Sequence, residues 1–186
     1  MASDTDHVTV GVRTAHTADL DPAELRAVRA LLGAAFDGGY DDDDWEHALG
    51  GMHVLVSDEQ GLAAHGSVIQ RRARYRKRWL RVGYVEGVGV RADVRRQGLG
   101  GRVMAEVERI IDRAYDLGAL SASDDGAPLY AARGWRLWRG RLYGLGPRGV
   151  VRLRDDEDCT YVRPAAAGDL DFKRKLVFDW RDGDVL

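Results

Sequence analysis

A strand-like run over residues 80–90 passes through the glycine-bearing turn Arg95-Arg96-Gln97-Gly98-Leu99-Gly100 into a helical pattern over residues 98–117. Within that helix Leu99, Val103, Val107, Ile110, Ile111 and Ala114 recur at three- and four-residue intervals and make one apolar face. A strand feeding a one-faced helix commits the chain to a fold that mixes sheet and helix. The junction also has a chemistry. N–H groups at a helix start have no partner inside the helix, the helix dipole favours negative charge there, and glycine lets an anion approach the main chain. Arg95 and Arg96 add cationic donors. In the preceding strand, Gly83, Gly87 and Gly89 suggest a bulge or a ligand's close approach to the backbone.

Around this centre the expected elements are short. Residues 8–13 alternate as a strand, and Asp21-Pro22-Ala23-Glu24 carries the start signals of a helix over residues 22–36: a capping oxygen, proline at the first position and an acid at the third. Residues 37–44 are acidic and glycine-bearing, which predicts an irregular loop leading into Trp45-Glu46-His47. Two apolar stretches, 52–57 and 62–69, flank Asp58-Glu59-Gln60-Gly61 and predict an antiparallel hairpin. The basic run 71–78 reads as a solvated connection to the strand over 80–90. Gly118 is the expected stop of the long helix, followed by a strand over 119–122, a helix near 128–133, a strand over 135–145 and a strand-like Thr160-Tyr161-Val162.

At 186 residues, 45% hydrophobic and 31% charged, the chain suits one domain over residues 1–186, and no apolar run approaches bilayer length. Residues 1–12 lack the basic start, apolar middle and cleavage site of a secretory signal, which predicts a cytoplasmic location. Cys159 is the lone cysteine, so packing rather than an internal disulfide must hold the fold. The neighbouring Asp155-Asp156-Glu157-Asp158 disfavours its thiolate, and it reads as a structural thiol. The run Arg71-Arg72-Ala73-Arg74-Tyr75-Arg76-Lys77-Arg78 has the residue types that track phosphates, yet a net charge of -2 argues against a polyanionic partner. No nucleic acid and no membrane are expected as partners. The five histidines show no metal-ligand spacing, and no metal is expected.

The spacing Arg95-x-x-Gly98-x-Gly100 resembles the pyrophosphate-binding signature of the GNAT superfamily, and Tyr130-Ala131-Ala132-Arg133-Gly134-Trp135 resembles its Tyr-x-x-x-Gly-aromatic element. The resemblance implies an α+β, three-layer GNAT acyl-CoA N-acyltransferase fold, with a mixed, mostly antiparallel sheet flanked by helices and a splay between the fourth and fifth strands. It implies acetyl-CoA as cosubstrate, with Val88, Gly89, Val90, Arg95, Arg96, Gln97, Gly98, Leu99, Gly100 and Ser121 as coenzyme-binding positions. Pantetheine would lie in the splay and pair with the backbone at Val88 and Val90. The Val88 N–H would polarise the thioester carbonyl, and Tyr130 would protonate or hold the departing thiolate.

Longer strings are similar to the aminoglycoside 2'-N-acetyltransferase family over most of the chain. They are Asp44-Trp45-Glu46-His47, Leu49-Gly50-Gly51-Met52-His53, Val68-Ile69-Gln70-Arg71-Arg72, Gly83-Tyr84-Val85-Glu86-Gly87-Val88, and Asp179-Trp180-Arg181 with Gly183-Asp184-Val185. This resemblance implies a polycationic small amine as acceptor, acetylated by direct attack in a ternary complex, and a homodimer. Asp44, Glu86, Gly87, Asp156, Asp184 and the carboxylate of Leu186 would bind the acceptor, with Glu86 taking its proton through a water. A carboxylate-lined cleft suits a ligand with several ammonium groups. The chain departs from the family's pattern at Gly39, where an acid is usual, and at Leu186, where an aromatic residue is. Two further readings stay open: a GNAT enzyme for another amine (a cell-wall precursor, polyamine or peptide), and a non-enzymatic aminoglycoside-binding protein.

Overall fold

The structure, a computed structural model, describes residues 10–186. The secretory-signal reading and the start of the first expected strand at Val8 therefore lie largely outside the described residues. In chain order the elements are β1 (Gly11–His16), α1 (Pro22–Ala35), α2 (Asp42–His47), β2 (Met52–Asp58), β3 (Gly61–Tyr75), β4 (Arg78–Val90), α3 (Leu99–Ala114), β5 (Leu117–Ser121), α4 (Ala127–Ala132), β6 (Arg136–Leu137), β7 (Leu142–Gly146), β8 (Gly149–Arg152), β9 (Thr160–Pro164) and β10 (Leu176–Phe178). The main strand order is β6-β9-β5-β4-β3-β10-β7-β8, and β1 joins through β2 to β3. Pairing is antiparallel except at β4 with β5 and β10 with β7. Among the described residues no helix is long and apolar enough to cross a membrane.

Three layers follow from the alternation along β2. Val54 and Val56 pack with Val103, Met104, Val107 and Ile111 of α3, while Leu55 between them packs with Val28, Leu31 and Leu32 of α1. α1 begins as its residues predict: the Asp21 carboxylate accepts from the N–H groups of Ala23 and Glu24, and the Glu24 carboxylate accepts from the Asp21 N–H. The third core gathers Tyr84, Leu117, Trp138, Leu142 and Phe178. It lies where the sheet curls. β6 and β7 are six strand positions apart in the sheet order, about 29 Å in a flat sheet, yet the chain joins them with four residues, whose five Cα–Cα steps reach about 17 Å at most. Only a sheet bent around Trp138 and Phe178 satisfies both.

Four expectations are corrected. Residues 42–47 form α2 rather than loop, because Asp41 and Asp44 cap one another's N–H groups and three acids in the first turn complement the helix dipole. The basic run belongs to β3 and β4, with the turn confined to Arg76, at φ 55°, and Lys77. Arg71, Ala73 and Tyr75 point inward and Arg72 and Arg74 outward, so the run keeps the period of a strand. Gly118 stops nothing. α3 ends where the Tyr115 N–H donates to the Ile111 carbonyl, and Gly118 sits in β5, where a Cβ would come within 3.0 Å of Ile111 and Trp135. The strand expected over 135–145 is broken into β6 and β7 at Gly140, whose backbone lies against the Arg174 carbonyl with no room for a Cβ.

Candidate active site

β4 and β5 are paired only from Val82↔Leu117 to Tyr84↔Ala119, so, among the described residues, residues 85–90 have no strand on their β5 side. On the opposite edge the β3–β4 ladder slips. Ser67 pairs with Glu86 and His65 with Gly89, which leaves Gly87 and Val88 facing Gly66 alone. Gly87 has a φ of +56°, and a Cβ there would come within 2.9 Å of Leu32, so glycine is required for both reasons. A cavity of about 370 Å³ opens in the gap. Val88 and Val90 line it from β4, Ser121 from β5, Tyr130 from α4, and Asp44, Glu86, Gly87 and Leu186 close it.

The start of α3 borders the same cavity through Gly100. Gly98 caps the helix at φ +82° without any side-chain bond, and the first intrahelical bond runs from the Arg102 N–H to the Gly98 carbonyl at 3.1 Å. The N–H groups of Gly98, Leu99, Gly100 and Gly101 therefore have no partner within the helix. A Cβ at Gly100 would press on Leu129 at 3.3 Å, so this glycine lets the turn approach α4. Arg96 and Gln97 are exposed at the turn, whereas Leu99 is buried in the core and Gly89 is packed beneath Leu31 and Leu32. Those last two residues offer a ligand only main chain. Arg95 differs from expectation as well: its guanidinium donates to the carbonyls of Ala35 at 3.2 Å and Val90 at 3.3 Å, so it ties the turn to α1 and β4.

Tyr130 is buried edge-on against Trp135, and burial pushes its phenol up to about 12. It is protonated at any ordinary pH. Ser121 accepts from the Tyr84 hydroxyl at 3.1 Å, and its hydroxyl lies 3.4 Å from that of Thr160.

The acidic residues divide between two spaces. Asp44 and Glu86 line the first cavity, while Asp156 and Asp184 line a neighbouring one of about 480 Å³ that shares Ser121, Ser123 and Leu186 with it. Burial raises the pKa of Glu86, opposed by the Arg181 guanidinium, whose Nη1 donates to Oε1 at 2.5 Å. Burial, and then the charges of Asp184 and Asp155, push Asp156 up to about 6. Its neighbour Cys159 is half-buried, with a thiol pKa raised by burial and by Asp156.

Three further residues about the site are not singled out by the sequence, although Arg71 and Arg181 lie within the family-like strings. Tyr40 lines the first cavity and donates to the Asp44 carbonyl at 3.1 Å. Arg181 pairs with Glu86 and lies over the Tyr84 ring at 5.3 Å. Arg71, hidden in the basic run, is 5% exposed and fastens residues 179–185 across the site. It donates to Asp179 Oδ1, the Asp179 carbonyl and the Val185 carbonyl, each at 2.7 Å. His47 adds a bond to the Asp182 carbonyl at 2.7 Å. The partners of Arg71, Arg181 and His47 lie 95 or more residues away, so no local pattern announces these contacts.

Residues 16–138 match the model of the acetyltransferase (GNAT) domain family. The chain is 47% identical over 176 residues to the aminoglycoside 2'-N-acetyltransferase of Mycolicibacterium fortuitum, covering 93% of this chain and 90% of that protein. Among solved structures it is similar to the GNAT family N-acetyltransferase YhbS of Escherichia coli in complex with CoA, with a TM-score of 0.65 at 15% identity over 94% of this chain and 91% of that one. It is also similar to Eis1 of Mycobacterium abscessus, with a TM-score of 0.58 at 16% identity, where 72% of this chain covers 32% of the longer protein. The family match and the likeness to YhbS show the GNAT acyl-CoA N-acyltransferase fold.

Proposed function

The chain belongs to the GNAT acetyltransferases and, within them, to the aminoglycoside 2'-N-acetyltransferases, and from that premise we propose that it transfers acetyl from acetyl-CoA to the 2'-amine of an aminoglycoside. The parting of β4 from β5 is the observation that carries this reading. A bare strand edge leads from the uncapped start of α3 to a cavity with a phenol on one wall and carboxylates on another.

When bound, the coenzyme supplies a thioester and a thiolate leaving group. The residues present fit such a ligand. The N–H groups of residues 98–101 suit a pyrophosphate, Arg96 adds a cation beside them, and the edge at residues 85–90 has main-chain groups to offer an amide-bearing arm. The Val88 N–H would meet the negative charge that grows on the acyl oxygen, a role for which one donor contributes about 10²–10³ in turnover. Tyr130, which lines the cavity and is held neutral by burial, would give a proton to the sulfur.

Asp44 and Glu86 on one side and Asp156 and Asp184 on the other would bracket a polycation and hold one amine in line for attack. Burial makes Glu86 a stronger base than a free carboxylate and Arg181 opposes that, which supports Glu86 as proton acceptor through a water. The family reading carries a homodimer with it, which sedimentation would reveal as twice the 20.6 kDa chain mass.

Thiol release from acetyl-CoA in the presence of ribostamycin or gentamicin, set against a polyamine and a peptide, tests the acceptor. Turnover is expected with the aminoglycosides, and an aminoglycoside with a 2'-hydroxyl in place of the amine should be inert. Faster turnover of the polyamine or peptide would move the chain to another amine. Binding of ribostamycin without thiol release would make it a sequestering protein.

A further inference from the structure

Beneath the cavity lies a buried chain of hydrogen bonds that the transfer chemistry above does not use. His53 on β2 and His65 on β3 are both fully buried, and His53 Nδ1 lies 2.9 Å from His65 Nε2. His65 Nδ1 lies 2.9 Å from the Gly87 carbonyl, and His53 Nε2 lies 2.8 Å from Thr17 Oγ1. The Gly50 N–H donates to Thr17 Oγ1 at 2.9 Å.

Elementary bookkeeping of protons gives this chain one direction. A carbonyl only accepts, so His65 Nδ1 carries the proton. Burial holds both rings neutral, with pKa values lowered to about 3 for His65 and about 4 for His53. His65 Nε2 is then an acceptor and His53 Nδ1 its donor. By the same step His53 Nε2 accepts from the Thr17 hydroxyl, a shorter contact than the 3.3 Å to the Gly51 carbonyl that competes for that proton. Every link points from Gly50 toward Gly87.

The terminus matters because of where Gly87 stands. Its carbonyl belongs to the same peptide unit as the Val88 N–H, and in a planar trans peptide the two point in opposite directions. Gly87 and Val88 occupy the bulge, where the regular β3 partner is missing, and His65 takes that partner's place. Fixing the carbonyl toward β3 aims the N–H away from β3, toward the side where β5 has departed and the cavity opens. Glycine at φ +56° leaves this peptide free to rotate unless something holds it. A carbonyl that accepts from a polarised chain also makes its own amide a better donor.

We propose that His65, oriented by His53 and Thr17, is a positioning residue for acyl transfer: it locks the Gly87–Val88 peptide so that the Val88 N–H addresses the acyl oxygen. The proposal rests on the reading that Val88 meets that oxygen.

The test uses acetyl-CoA labelled with carbon-13 at the carbonyl, infrared difference spectra of its complex, and steady-state kinetics with ribostamycin. In the unsubstituted protein the carbonyl stretch should fall on binding. In His65→Leu that fall should vanish and kcat should drop about 10²-fold, with KM for acetyl-CoA within about threefold, as expected when an oxyanion donor is lost. His65→Asn, whose amide N–H can stand where Nδ1–H does, should recover most of both. A stretch unmoved in the unsubstituted protein would defeat the Val88 reading, and the proposal with it. A normal fall together with near-normal kcat in His65→Leu would defeat the relay alone. Should His65→Leu fail to fold, His53→Phe decides: it frees the His65 tautomer, so a smaller fall and a several-fold lower kcat are expected, and no change in either overturns the proposal.

Discussion

At the scale of single residues, the site depends on protons held where water would not leave them. Tyr130 keeps its proton because burial lifts its pKa to about 12, so in its proposed role as acid it would always be loaded. Tyr130→Phe should lower kcat on the order of 10²-fold and leave the calorimetric affinity for acetyl-CoA within about twofold; unaltered turnover would remove the phenol from the reaction. Asp156 works the other way. With its pKa raised to about 6, it is a carboxylate at pH 7.5 and mostly neutral at pH 5, while a polyamine ligand only gains positive charge over the same fall in pH. Affinity for ribostamycin should therefore fall as the pH drops through 6, and binding near pH 6 should release protons, seen as a buffer-dependent heat. Asp156→Asn should flatten that profile, and an equally steep profile would place the titration elsewhere. The positions of Tyr130 on the cavity wall and Gly98 at the helix start are legible in the sequence because both lie in motifs of fixed local spacing. Arg181 is not legible, since its partner Glu86 lies 95 residues away and only the fold introduces them.

Among the elements, those specified by local rules were readable and those specified by distant partners were not. α1 and α3 follow from a capping box and an apolar stripe. α2 escaped because four consecutive aspartates resemble a solvated loop until two of them are seen to cap the turn. The strand character of residues 71–75 was masked by charge, although Ala73 and Tyr75 alternate correctly. Arg71 shows what that charge is for. Its guanidinium holds the segment carrying Asp184 and Arg181 to the floor of β3, so Arg71→Ala should loosen one side of the site selectively. The expected loss of stability in urea denaturation is on the order of 3 kcal/mol, since a buried cation with three acceptors is removed and two carbonyls are left exposed or unsatisfied. Aminoglycoside affinity should suffer far more than acetyl-CoA affinity, and equal losses would deny the segment its place in acceptor binding.

For the whole molecule, a net charge of -2 conceals a polarised arrangement. Basic side chains gather on the outer face of the β3–β4 hairpin, where Arg72 lies 5.1 Å over the Trp79 ring, and acids gather at the two cavities. A polycation should be drawn to the acidic end, so its association rate in stopped-flow should fall as the Debye length shrinks from about 30 Å at 0.01 M salt to about 8 Å at 0.15 M. A rate indifferent to salt would mean that encounter is unsteered. The mixed sheet, its flanking helices and the splay at β5 agree with what the resemblance implied. The curl of the sheet and the strands β8 and β10 do not show in the sequence, because a three-residue strand such as Leu176–Phe178 has too few residues to display a period.

β10 lies between β3 and β7, antiparallel to one and parallel to the other. Among the described residues the β7–β8 hairpin has no other strand beside it, so it must wait for three residues made some thirty positions later before it can dock. Its pairing with β3 joins Leu176 to Tyr75, 101 positions apart, against 35 for Val82 and Leu117 of β4 and β5, and contacts of longer sequence separation form more slowly. Refolding should accordingly pass through a stage in which the coenzyme half is assembled while the acceptor half still wanders, and the two capacities for ligand should return at different times.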